Sequence, residues 1–358
     1  MGENFMNEKA LRNAIEGKTA RRQNPLGLRQ AKCRALLMVV GVLGLVLLIG
    51  ATAAPLWAQS YPARPIRFIL PYPPGSTTDL VGRIVTPMLS ERLGQPVVPE
   101  NRPGAGGNIG IEHAAKARPD GYTILLATTG LAFSPSLYRK LKYNAMTDLA
   151  PISLVAESQF ALVVSASLPV RNLKELVEYA RANPGKLNFG SGGIGSGTHL
   201  ACEMLKSLAK INIVHVPYKG AVQGVTGLMG GEIDMIVIGA PTVPPYLQSG
   251  KVKTLAVLSK QRSRSLPDVP TTREAGIENF EVTTWFGILA PAGTPPEIIN
   301  RLNGEWIKIA AMPNTKEKMQ NSGLDPISST PEQFSSFLKG EIAVWSKVIK
   351  DANIPIID

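Results

Sequence analysis

From Tyr61 onward the sequence alternates short apolar runs with segments of helical periodicity, and this alternation restricts the possible folds most strongly. The runs PIRFILPY (65–72) and YTILLAT (122–128) have the length and composition of buried strands. Residues 77–93, which lie between them, carry a helical pattern that ends at Gly94. Strands that alternate with helices predict an α/β fold with mainly parallel sheets.

The alternation occurs twice along the chain, and two neighbouring strands, ISLVAE and FALVVS, separate the two sets around residues 157–160. A later strand, VTTWFGILAP, precedes a mostly helical tail. We therefore expect two lobes that are joined by crossings near residues 157–160 and 280–283. The predicted first lobe comprises residues 59–157 and 282–358, and the second comprises residues 158–281. Such an arrangement places a ligand in the cleft, at the carboxyl ends of the strands.

The first 58 residues have a different composition from the rest of the chain. Basic residues lead up to Arg34, an apolar run follows, and small residues precede Ala58, as in an export signal. We expect cleavage near Ala58 and an exported product. An uncleaved anchor stays open, although the apolar run is short for a membrane span. Arg21-Arg22 matches a twin-arginine signal weakly, so the export route and the true translation start also stay open.

Charge and cysteine content exclude several classes of protein. The net charge is +11 for the whole chain and +6 after residue 58, and no basic stripe interleaved with aromatic residues indicates a nucleic-acid partner. Cys202 is the only cysteine after the predicted signal, so we expect no internal disulfide. No spacing of His, Cys and acidic residues is typical of a metal site, and we expect no cofactor.

Three loops rich in Gly, Ser and Thr each follow a strand and precede a helix: PPGSTTD (73–79), GSGGIGSGTH (190–199) and YKGAVQG (218–224). ATTGLA (127–132) adds two hydroxyls after another strand. Helix starts offer unpaired N–H groups and the positive end of the helix dipole. Several such loops at strand ends predict a site for a carboxylate. The alternative is that each loop is an ordinary helix cap.

Two enzyme classes are the alternatives to a binding protein. GSGGIG fits the dinucleotide pattern G-x-G-x-x-G, but the next strand ends at the basic residue Lys219 instead of an acid. Neither Ser191 nor Ser196 lies in G-x-S-x-G. An exported serine hydrolase that uses Ser191 or Ser196 with His199 remains the alternative, with Glu203 as the only nearby acid. Asp79 is explained by capping of its helix.

Seven segments, taken in this order, resemble the Bug family of extracytoplasmic solute receptors of tripartite tricarboxylate transporters. They are YPARPIRFILPYPPGSTTD, ENRPGAGGNIG, DGYTILLAT, NFGSGGIGSGTHLACE, VPYKGA, GGEIDM and WFGILAPAGTP. The resemblance implies a monomeric, two-lobed (type II-like) periplasmic binding protein, not an enzyme. It would close on a small carboxylated solute and deliver it to transporter subunits, or to a sensor protein.

The resemblance also implies a set of ligand-binding residues. They are Tyr72, Pro74, Gly75, Ser76, Thr77, Thr78, Asp79, Thr128, Thr129, Ser191, Gly192, Ser196, Thr198, His199, Lys219, Gly220, Ala221, Gly239 and Ala240. This chain departs from the family pattern at IVIGA, which is apolar up to Gly239 where an Asp or Asn is common. The family's polar contact to the far end of the ligand therefore does not carry over to this chain, whereas the contacts to the carboxylate do.

Overall fold

Two parallel strand triplets and one long shared strand organise residues 61–358, which the computed structural model describes together with Met38. The predicted export signal and its cleavage after Ala58 lie outside the described residues. Residues 61–358 form one compact unit. The first triplet and its helices are β1 (Ile66–Leu70), α1 (Thr77–Leu93), β2 (Val97–Asn101), α2 (Asn108–Ala115), β3 (Thr123–Thr128) and α3 (Gly130–Leu137).

The second triplet follows the long strand β4 (Leu149–Ser165). Its elements are α4 (Leu173–Ala182), β5 (Asn188–Ser191), α5 (Gly197–Ala209), β6 (Val214–Pro217), α6 (Ala221–Gly230), β7 (Met235–Gly239), α7 (Pro244–Leu247) and β8 (Val252–Val257). The chain then returns through β9 (Thr283–Pro291), α8 (Pro296–Ala311), α9 (Pro313–Asn321), β10 (Asp325–Pro326) and α10 (Pro331–Asp351).

Strand β4 corrects the expectation of two neighbouring strands around residues 157–160. It is a single strand of 17 residues. No Gly or Pro lies between Glu157 and Phe160 to turn the backbone, so the extended conformation continues through this stretch. The first part of β4 pairs with β9 and β10, and the second part pairs with β7 and β8.

The α/β fold class is confirmed, and its sheets are mixed. Strands β1, β2 and β3 pair in parallel, as do β5, β6 and β7. Strand β9 joins β3 to β4, and both of its pairings are antiparallel because the chain re-enters the first triplet from the opposite direction. These pairings support lobe boundaries at 157/158 and 281/282, which stay a prediction.

Buried apolar side chains fill both sides of the sheet. Trp306 of α8 is fully buried and donates its Nε1–H to the Leu154 carbonyl at 3.0 Å, so it fixes the C-terminal helices to β4. Cys202 is buried and makes no disulfide within residues 61–358. None of the described helices has the length and hydropathy that crossing a membrane requires.

Candidate functional site

The start of α1 leaves two backbone donors without partners. Ser76 caps the helix by accepting the N–H of Asp79 at 3.2 Å. The Asp79 carboxylate in turn accepts the N–H of Gly75 at 3.0 Å, in a turn where Gly75 has a φ of +81°. The N–H groups of Thr77 and Thr78 find no hydrogen-bond partner within residues 61–358, and both residues line a cavity.

The start of α5 repeats this arrangement. Ser196 accepts the N–H of His199 at 3.3 Å, and His199 Nδ1 accepts the N–H of Gly195 at 3.3 Å. The motif G-S-x-T-[D/H] therefore occurs at 75–79 and again at 195–199 with the same capping geometry. Here the N–H groups of Gly197 and Thr198 are the ones without a partner in the described part of the chain, and both residues line the same cavity.

A third helix start, that of α6, completes this side of the cavity. No side chain among residues 61–358 caps α6, and its first two residues, Ala221 and Val222, line the cavity. Each helix start carries about half a positive charge. Three such starts around one cavity form a positive environment for an anion without any cationic side chain.

The cavity lies between the two strand triplets and has a volume of about 80 Å³, counted over positions that the centre of a water can occupy. Because one water requires about 10–15 Å³ on this measure, there is room for a small organic molecule. No Asp, Glu, Lys, Arg or His among residues 61–358 lines it. In that part of the chain, no cluster of three or more metal-ligating side chains is present either.

The structure brings most of the predicted site residues to this cavity. Those that line it are Tyr72, Gly75, Ser76, Thr77, Thr78, Thr128, Thr129, Gly192, Ser196, Thr198, Ala221 and Gly239. Those that do not line it are Pro74, Asp79, Ser191, His199, Lys219, Gly220 and Ala240. The Asp79 carboxylate and the His199 ring accept the N–H groups of Gly75 and Gly195 and so stabilise the two loops without lining the cavity. Lys219 lines a neighbouring groove. Ligand contact by any of them stays a prediction.

Several lining residues were missed by sequence reasoning, and most of them are apolar. They are Gly130, Phe133, Phe160, Val222, Val225, Ile238, Thr242, Tyr246, Val282, Thr283, Thr284, Phe286 and Trp345. Phe160 and Thr283 lie at the predicted crossings, so the expectation of a cleft there could have found them. Trp345 comes from α10, and no local pattern distinguishes it from a core residue.

Asp79 is a structural acid and not a free ligand group. Its carboxylate also accepts hydrogen bonds from Arg83 Nε at 2.9 Å and Asn101 Nδ2 at 3.0 Å. Burial alone would raise the pKa of Asp79, but the hydrogen bonds from Arg83, Gly75 and Asn101 outweigh it and lower the pKa. The ionised carboxylate therefore maintains the turn in which Gly75 lies.

A stacked pair of histidines supports the second loop. The His199 and His215 rings lie 4.2 Å apart between centroids, and Phe189 stacks on His215 at 4.7 Å. Burial lowers the pKa of each histidine to about 4, helped by Lys206 at His199 and by the neighbouring ring at His215. Both rings are therefore neutral at pH 7.

Within the described part of the chain, neither Ser191 nor Ser196 hydrogen-bonds the imidazole ring of His199. Ser191 is fully buried and its Oγ lies 2.7 Å from His215 Nε2, and Ser196 Oγ donates to the Gly193 carbonyl at 2.7 Å. Glu203 Oε1 lies 3.8 Å from His199 Nε2. Within residues 61–358, neither serine hydroxyl makes the hydrogen bond to the His199 ring that the serine hydrolase alternative requires.

Close contacts across the cavity join the two halves of the molecule. A Cβ built on Gly239 would lie 1.9 Å from Thr77 Oγ1, and one built on Gly220 would lie 2.3 Å from Pro73 Cγ. The Tyr138 hydroxyl lies within hydrogen-bond distance of the Ile194 carbonyl (2.9 Å). Glycine at positions 220 and 239 thus permits the Pro73 and Thr77 side chains of one half to approach the backbone of the other half.

The mixed sheets, the shared strand and a cavity surrounded by helix starts define the class of periplasmic binding proteins. A solved structure of the periplasmic binding protein BugD superposes with a TM-score of 0.79 at 35% identity, covering 83% of this chain and 100% of that one. Rpa4515 of R. palustris, solved with adipate, gives a TM-score of 0.80 at 34% identity, covering 83% of this chain and all of that one.

Sequence comparison gives the family. The model for the tripartite tricarboxylate transporter family receptor matches residues 81–354. Protein BugT of Bordetella pertussis is 37% identical over 317 residues, which cover 87% of this chain and 97% of BugT. The chain therefore belongs to the tripartite tricarboxylate transporter receptor family, and the resemblance noted in the sequence is confirmed.

Proposed function

We propose that this protein captures a small carboxylated organic solute in the cavity between its two halves and delivers it to the membrane subunits of a tripartite tricarboxylate transporter. One observation carries the proposal. Two copies of G-S-x-T-[D/H] expose unpartnered N–H groups to one cavity that no charged side chain in the described residues lines. Unpartnered N–H groups at helix starts favour an anion.

The solved relatives support a carboxylate as the ligand class. Rpa4515 was solved with adipate, and MatC of Rhodopseudomonas palustris, at 30% identity and a TM-score of 0.76, with bound malate. In this chain the carboxylate would lie against the N–H groups of Thr77, Thr78, Gly197 and Thr198. Donors from both halves of the molecule would then hold the same group.

Closure of two lobes is the proposed mechanism of capture. The Thr77–Gly239 and Pro73–Gly220 contacts belong to a closed arrangement, because they join segments from opposite sides of the cavity. A ligand that contacts both sides binds the closed state better than the open state and shifts the population toward it. The crossings near residues 157–160 and 280–283 would accommodate the motion.

Export and assembly complete the proposal. The composition of residues 1–58 supports an export signal that is cleaved near Ala58, and the family match supports a periplasmic receptor. The protein would act as a monomer without a cofactor or metal. We assign it no catalytic role, since the hydroxyls of Ser191 and Ser196 are engaged in holding their own loop.

Calorimetry on two glycine variants tests the carboxylate site. Gly75 has a φ of +81° and a built Cβ would lie 3.2 Å from Val222 Cγ2, so Gly75→Val should abolish binding. Gly94→Val is the matched control, because Gly94 ends the same helix with a φ of +68° and open space around it. Thr77→Ala should only weaken binding, since the N–H groups are retained.

The probes are hexanoate, adipate and citrate, followed by the amide of the acid that binds best. The acid should bind and the amide should bind at least about tenfold more weakly, because the helix starts favour negative charge. Normal binding by Gly75→Val, or equal binding of acid and amide, would show that these loops are only helix caps.

A further inference from the structure

Apolar side chains line much of the cavity beyond the helix starts. Besides the Thr and Tyr hydroxyls, six aromatic and aliphatic side chains line it, and we term these six the apolar wall: Phe133, Phe160, Val225, Ile238, Phe286 and Trp345. Each of these side chains is at most 9% exposed. They come from six different helices and strands, so the apolar wall is a property of the folded cavity and not of one segment.

The apolar wall begins directly beside the unpartnered donors. A Cβ built on Gly197, the first residue of α5, would lie 3.2 Å from the Phe160 ring and 4.0 Å from Phe133. A carboxylate held by the Gly197 and Thr198 N–H groups would therefore place its next carbon atoms against these two rings. Contact with the apolar wall starts at the first bonds of the ligand chain.

Most polar side-chain groups near the apolar wall already have a hydrogen-bond partner within the protein. Trp345 donates its Nε1–H to Glu341 at 3.3 Å, outside the cavity, and presents only carbon to the ligand. Thr129 accepts the N–H of Trp285 at 3.1 Å, and Thr242 donates to the Gly239 carbonyl at 2.8 Å. Away from the helix starts, the cavity hydroxyls without a partner in residues 61–358 are those of Thr283 and Tyr246, and both are neutral.

We propose that the ligand is a monocarboxylate whose remaining part is apolar, and not a di- or tricarboxylate. The proposal rests on the proposed function, because it takes the helix starts as the carboxylate site. A second carboxylate on the apolar wall would lose its hydration and gain no cationic partner there, and buried charges without partners are strongly disfavoured. An aliphatic or aromatic body would instead bury its surface against that wall.

Hexanoate and adipate test this inference by calorimetry on the mature protein, since they differ in one end group, a methyl against a second carboxylate. Hexanoate should bind about tenfold or more tightly than adipate. Binding of adipate as tightly as hexanoate would overturn the inference and leave the carboxylate site intact. If neither acid binds, or if hexanamide binds as well as hexanoate, the proposed function fails and this inference fails with it.

Discussion

Adding one methyl group at Gly239 should interfere with closure of the cavity more than with folding. Gly239 ends β7 and has a φ of −62°, so alanine is acceptable to its backbone. The new Cβ, however, would lie 1.9 Å from Thr77 Oγ1 and 3.1 Å from Thr77 Cβ. Thr77 is β-branched, and rotation about χ1 relieves only part of this overlap.

The expected cost follows from the type of contact. Overpacking by a single methyl typically costs about 1–3 kcal/mol. If the Thr77–Gly239 contact forms only on closure, the whole cost falls on ligand binding, which weakens by about 5- to 150-fold. The empty protein can relieve the overlap by opening, so its melting temperature should stay close to that of the wild type.

Calorimetry and thermal unfolding of five proteins separate these effects. They are the wild type, Gly239→Ala, Thr77→Ala and the double variant, with Gly230→Ala as a control because open space surrounds Gly230. The double variant removes Thr77 Oγ1 and should recover most of the affinity that Gly239→Ala loses. The reasoning would be refuted if Gly239→Ala lowered the unfolding free energy of the empty protein as much as its binding free energy. It would also be refuted if the binding free energy lost by the double variant equalled the sum of the losses of the two single variants.

Two further predictions concern acid stability and processing. Burial lowers the pKa of His199 and of His215 to about 4 in the folded protein, whereas an unfolded histidine has a pKa of about 6.5. Between these two values the unfolded chain binds more protons than the folded protein. The free energy of unfolding should therefore fall as the pH is lowered from about 6.5 to about 4. His199→Gln keeps a hydrogen-bond acceptor for the Gly195 N–H. In urea titrations it should reduce the acid-induced loss of stability by at most about 3 kcal/mol. An unchanged pH dependence would exclude His199 as a source of that loss. Mass spectrometry of the periplasmic protein should find Gln59 as the first residue, and an intact N-terminus in membranes would contradict the predicted cleavage.

The sequence predicted the fold class and the polar side of the cavity because both depend on local patterns. The strand–helix alternation gave β1, α1 and β3 nearly to the residue, and Gly-Ser-Thr loops before helices marked the residues at 75–78 and 192–198. These patterns are local, because a helix cap or a strand can be recognised from fewer than ten consecutive residues.

The apolar wall could not be predicted, because it depends on long-range packing. Phe133, Phe160 and Trp345 come from three distant segments, and each has the pattern of an ordinary core residue. The capping role of Asp79 was anticipated, whereas the His199–His215 stack was not, since nothing local brings α5 and β6 together. The role of a site residue such as Asp79 could be predicted because its hydrogen-bond partner, Gly75, lies within one helical turn of it in the sequence.

Strand β4 has a mechanical consequence for any motion of the cavity. Because its backbone is paired on both sides of residues 157–160, opening must bend a hydrogen-bonded ribbon instead of rotating a free loop. A paired strand of this kind bends elastically: its hydrogen bonds resist the bend at every amplitude and favour return to the original geometry. Opening would then be small in amplitude, and the cavity would close again rapidly. The amides of β4 should remain among the slowest to exchange with deuterium, even while solute enters and leaves the cavity.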